Sequence, residues 1–133
     1  MPAGKMRRAD RWMLGIGLLG GLLLAVIGMR YFVAPESAAR TFGVPGRPAG
    51  NELHYIIGLR NVWLGLLAIA LSALREWRAL ALWFALGSIV CFADAAIAAS
   101  STGRVPQFAF HIGCGCACVV LATICWRVAA RER

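Results

Sequence analysis

Four long apolar stretches, residues 12–33, 53–74, 79–100 and 108–126, make up most of the chain. A hydrocarbon core of about 30 Å is crossed by roughly 20 helical residues. Each stretch approaches or exceeds that length. A helix of a soluble bundle carries a polar stripe opposite its apolar one, and residues 12–29 carry none. Transmembrane barrel strands are about 10 residues long and alternate in polarity; these stretches do neither. The sequence therefore predicts an all-α integral membrane protein, a four-transmembrane-helix bundle forming a single domain over residues 1–133.

The first stretch follows Lys5, Arg7, Arg8 and Arg11 and so resembles a signal peptide. It is longer than a signal h-region of about 7–15 residues, and no small-x-small site follows it. It reads as a retained helix. The net charge of +8 would suggest nucleic acid in a soluble chain, but here the cations sort by side. Lys5, Arg7, Arg8, Arg11, Arg75, Arg78, Arg127, Arg131 and Arg133 fall on one side, and Arg30, Arg40, Arg47 and Arg104 on the other. Nine against four obeys the positive-inside rule, which puts both termini and the second loop in the cytoplasm. The expected partner is the lipid bilayer of a cell membrane, a bacterial inner membrane, and no nucleic acid. Trp12, Trp77 and Trp126 are expected in the cytoplasmic aromatic belt, and Tyr31, Phe32, Phe42, Tyr55 and Phe108 near the outer one.

Arg75-Glu76-Trp77-Arg78 is too short for anything but a tight turn, so the second and third spans should run antiparallel side by side. The first loop is longer. Pro35 and Glu36 suit the first turn of a helix, Gly43 supplies a stop, and Pro45-Gly46-Arg47-Pro48 reads as a turn. A short outer helix over residues 35–42, lying at the membrane surface, is expected.

Ionisable groups inside a bilayer cost about 2.5–3.5 kcal/mol each, so each calls for a reason. Arg60 and Asp94 both fall roughly 10 Å below the outer ends of their helices, and His111 somewhat shallower. His54, Tyr55 and Asn61 share this layer, with Glu36 and Arg40 just above it. Small residues mark packing faces in membrane helices. Asp94 lies on one stripe with Gly87, Cys91 and Ala98; His54, Gly58, Asn61 and Gly65 form another. Leu82, Leu86, Val90, Ala93 and Ile97 are left for lipid. An Arg60–Asp94 ion pair is expected, either as a structural lock or within a polar pocket open to the outer leaflet.

His111, Cys114, Cys118 and Cys125 share a helix face, but Cys116 points away and no CxxC pair exists, so neither metal nor cofactor is assigned. Gly15, Gly17, Gly20 and Gly21 mimic a dinucleotide fingerprint without the preceding strand it needs. Gly17 and Gly21 form a GxxxG pair, which reads as helix packing or homo-oligomerisation.

The run Pro35-Glu36-Ser37-Ala38-Ala39-Arg40-Thr41-Phe42-Gly43, together with Arg60-Asn61, Arg75-Glu76-Trp77-Arg78, residues 94–100, Gly103-Arg104 and Phe110-His111, resembles one family. This is the group of small membrane proteins termed domain of unknown function 4267. The resemblance implies a four-helix membrane architecture and no activity. The leading functional expectation is binding of a small hydrophobic or amphiphilic, lipid-like ligand by Arg60, Asn61, Asp94, His111, Glu36, Arg40, His54 and Tyr55. An alternative is a membrane-embedded acid–base enzyme of isomerase, cyclase or epoxide-opening type, with Asp94, His111 and Glu36 catalytic. A transporter, or a subunit of a larger assembly, is the third reading.

Overall fold

The computed structural model describes residues 8–44 and 50–131. Lys5, Arg7, Arg47, Arg133 and the turn expected at 45–48 lie outside the described residues. Five helices follow in order: α1 Arg8–Val33, α2 Pro35–Phe42, α3 Glu52–Ala73, α4 Trp77–Ser101 and α5 Val105–Ala130. No strand occurs among the described residues. α1, α3, α4 and α5 are each long and apolar enough to cross a membrane. α1 and α5 overrun the apolar stretches by several residues, because a backbone ladder does not stop where the hydrocarbon stops.

α2 has the expected bounds for the expected reasons. Pro35 occupies the first turn, and Gly43 ends the helix in the left-handed region at φ 106°. The amides of Gly43 and Val44 both donate to the Ala39 carbonyl, at 3.1 and 3.0 Å. The α3–α4 turn solves the same problem with a costlier residue. Arg75 adopts φ 59°, a conformation costing a side-chain-bearing residue about 1–2 kcal/mol. It is held by Glu76 N–H donating to the Leu71 carbonyl at 2.9 Å and Arg75 N–H to that of Ser72 at 3.1 Å, the two bonds of a Schellman stop.

The tight turn does not make α3 and α4 close neighbours. The helices pack as two antiparallel pairs, α1 along α3 and α4 along α5, while α3 and α4 meet only sparsely. The cause lies in the glycines. Gly21 and Gly28 on α1 are seven residues apart, as are Gly58 and Gly65 on α3, a spacing that keeps both on one seam. A methyl group on Gly21 would come within 2.6 Å of the Gly65 carbonyl oxygen, and one on Gly28 within 2.7 Å of that of Gly58. The backbones touch. Gly17 closes the seam against Ser72, so Gly17 and Gly21 serve packing within the chain. Between α4 and α5 the ring of Phe92 lies on Gly115. By contrast, a methyl group on Gly87 would meet nothing within 4 Å, so the expected packing stripe on α4 is open at that point.

The two pairs are joined at the end where α1 begins and α5 ends. Met13, Ala68, Trp77, Leu80, Ala81, Phe84, Cys125 and Ala129 form one buried cluster there, drawn from all four long helices. Trp77, expected at the membrane surface, is only 2% exposed and belongs to this core, while Trp12 and Trp126 are exposed. Tyr31, expected in the outer belt, is likewise buried. On α4 the face assigned to lipid is exposed as expected: Leu82, Leu86, Val90 and Ile97 all lie open.

Candidate functional site

At the opposite end α2 ties the pairs together through its last turn. The Gln107 side-chain amide donates to the Arg40 carbonyl at 2.7 Å, and Thr102 Oγ1 donates to Gln107 Oε1 at 2.7 Å. His111 Nε2 lies 3.2 Å from the Phe42 carbonyl oxygen. A carbonyl only accepts, so Nε2 carries the proton, and in the neutral ring Nδ1 is left as an acceptor. The rings of Phe42 and His111 also meet, with centroids 4.6 Å apart. Gly43 packs on Ala98 and Gln107, the closest approach being 2.9 Å from the added methyl position to Ala98 Cβ.

On the α1–α3 side Tyr31 stacks on His54 at 6.3 Å between centroids. His54 is 5% exposed, and its Nδ1 is buried without a hydrogen-bond partner. Such an atom forfeits about 1–3 kcal/mol unless something fills the site. Tyr55 turns the other way. It is exposed and stacks nearly parallel on Phe32, 5.7 Å between centroids. It therefore stands apart from the buried group to which the sequence assigned it.

Between these two clusters lie the membrane-depth charges. Asp94 is half-buried, Asn61 is half-buried, and Arg60 is exposed. Asp94 is within electrostatic reach of His111 and of Arg60, and Tyr31 of both Asp94 and Arg60. The expected Arg60–Asp94 ion pair is not formed. Among the described residues the ion pair is Arg40–Glu36, 3.5 Å across one turn of α2, with both side chains well exposed. Arg60 and Asp94 miss each other because their helices are not packed side by side. Arg60 sits between exposed Ile56 and Trp63 on the open side of α3.

The structure thus brings Asp94 within reach of His111 and Arg60, sets His54 against Tyr31, and keeps Glu36 and Arg40 on the surface of α2. Gln107, Phe42 and Tyr31 were not expected at this site. The signal for Gln107 was available: it lies four residues before His111, one helical turn away on the same face. The five cysteines are free, with Cys125 buried and Cys116 exposed. Cys91 of α4 meets Cys118 of α5 across their seam. No group of three or more His, Cys, Asp or Glu side chains is arranged to hold a metal among the described residues.

Four long apolar helices in two antiparallel pairs, with a short helix capping one end, define a small multi-pass membrane protein. Residues 21–126 match the family described as Domain of unknown function (DUF4267), and the chain belongs to that family. Neither the curated proteins nor the solved structures yield a match.

Proposed function

We propose that this protein binds a small amphiphile or lipid-like molecule between its two helix pairs, in the half capped by α2. The observation that supports this most directly is the pair of charges Arg60 and Asp94. They lie within electrostatic reach of each other on separate helix pairs, yet make no ion pair. Neither charge is stable in hydrocarbon alone, and a polar headgroup entering from the open side of α3 would satisfy both. The buried, unpartnered Nδ1 of His54 adds a third polar group in want of a partner. The aliphatic tail would lie along the open surface at Gly87.

The reading is tested with a diazirine-bearing phospholipid and peptide mapping of the crosslinks. Labels are expected on α3 and α4 around Arg60 and Asp94. The double change Arg60→Gln with Asp94→Asn should cut labelling about tenfold, the equivalent of 1.4 kcal/mol. Its melting temperature should stay close to that of the parent, because no direct pair is broken. Labels spread evenly over Leu82, Leu86 and Ile97 would show ordinary lipid contact and sink the reading.

A second reading, proton transfer on the bound molecule, is favoured by one observation. His111 uses Nε2 on the Phe42 carbonyl and so leaves an acceptor nitrogen in the field of Asp94. A change in the mass or unsaturation pattern of the recovered ligand would separate it from simple binding.

The orientation follows the charge asymmetry: both termini and the α3–α4 turn in the cytoplasm, α2 outside. Reporter fusions after Arg78 should be cytoplasmic and fusions after Val44 external. The opposite result at Val44 would turn the α2-capped half inward and reverse the leaflet from which a ligand enters.

A further inference from the structure

At the end away from α2, an open groove of about 300 Å³ is lined by Arg8, Arg11 and Trp12. All three side chains are exposed, Trp12 at 64%. Arg8, Arg11 and Trp12 are spaced three and four residues apart, which sets them on one face of the first turns of α1. The acid that separates them in sequence is not among them. Asp10 is 8% exposed and, three residues from buried Met13, shares the packed face of the helix. Among the described residues the groove is therefore lined by two guanidinium groups and an indole, with no carboxylate, and neither arginine is ion-paired with a described residue.

We propose that this groove is a binding site for the headgroup of an anionic phospholipid. Guanidinium groups grip phosphate oxygens with paired, planar hydrogen bonds. Trp12 is the residue type that settles where headgroups meet acyl chains, with an apolar ring and one N–H donor. The volume is at the small end for small-molecule sites, suited to a headgroup. A zwitterionic lipid would bring its ammonium group against two arginines, so the site selects a headgroup with net negative charge. The charge asymmetry of the chain requires only that cations lie on this side. It does not require two of them and an indole to line one groove, and the proposal is independent of any ligand held between the helix pairs.

The test uses the full chain in neutral detergent, with bound lipids counted by native mass spectrometry against phosphatidylglycerol or phosphatidylcholine. One tightly held phosphatidylglycerol is expected, in preference to phosphatidylcholine. Arg8→Gln with Arg11→Gln should weaken it at least about tenfold, since each arginine near an anionic surface contributes severalfold. Arg127→Gln with Arg131→Gln removes the same charge at the same end, outside the groove, and should leave the tight lipid in place. Equal loss in both double variants would mean a diffuse surface field and overturn the site, as would equal retention of phosphatidylcholine. Displacement by glycerol 3-phosphate at matched concentration would overturn the assignment to a membrane lipid. If the glutamine variant does not fold, Arg8→Lys with Arg11→Lys keeps both charges and loses the paired hydrogen bonds. It should then bind several-fold more weakly, and undiminished binding would overturn the guanidinium role.

Discussion

Alanine at Gly65 is expected to destabilise the protein by about 3 kcal/mol, the upper end of what overpacking costs. The added methyl group would strike the Gly21 carbonyl oxygen and lie 2.7 Å from the Ala25 amide nitrogen. Both obstacles are backbone, so no rotamer change relieves them; α1 must move off α3 along its whole seam. Alanine at Gly21 should cost nearly as much, because it meets the same contact from the other side. The double variant should cost less than the sum, since the two share one displacement. Gly20 supplies the control: it neighbours Gly21 in the same helix, but a methyl group there meets nothing within 4 Å. Gly20→Ala should be neutral or stabilising by up to about 1 kcal/mol from helix propensity. Steric-trapping or thermal unfolding in bicelles reads all four. Equal effects at Gly20 and Gly21 would refute the seam.

Trp77→Ala should cost about 3–5 kcal/mol, the range for emptying a large aromatic site. Trp77 is 2% exposed, and with Leu80 and Phe84 it joins Met13 and Ala68 of the α1–α3 pair to Cys125 and Ala129 of the α4–α5 pair. α3 and α4 pack sparsely elsewhere, so this cluster carries most of the apolar contact between the pairs. Trp77→Phe should recover most of the loss. The indole Nε1 is buried without a partner, so the smaller ring gives up volume and no hydrogen bond. Hydrogen exchange should show Trp77→Ala exposing Ala68 and Leu71 on α3 while leaving amides at Gly21 and Gly65 protected. Uniform loss of protection would mean that the two pairs do not separate.

The helices were legible in the sequence because hydrocarbon thickness and apolar run length are the same quantity seen twice. α2 was legible to the residue because Pro35 and Gly43 are chemical punctuation. The pairing of helices was not. A three-residue turn, Leu74 to Glu76, fixes where α3 ends and α4 begins, but not whether their sides attract. That depends on Gly21, Gly28, Gly58 and Gly65 lying opposite one another, a relation between two stripes and not a property of either. The ion pair between Arg60 and Asp94 failed with it, since matched depth along two helices says nothing of the gap between them. The approach of Asp94 to His111 was legible because charge inside an apolar stretch is conspicuous. Tyr31 and Phe42 were not, because buried and belt aromatics look alike in sequence.

The fastening of α2 takes hold of main-chain oxygens. Gln107 and His111 bind the carbonyls of Arg40 and Phe42, atoms that every residue type supplies. Beyond the ring contact of Phe42 with His111, the grip makes little demand on the side chains that α2 displays on its exposed face. Exposed Arg40 can be exchanged without changing where the cap sits, whereas Gln107 and His111 cannot. The exposed face of α2 is in this sense a replaceable label on a fixed mount: its chemistry toward whatever meets it can be rewritten while the helices beneath keep their arrangement.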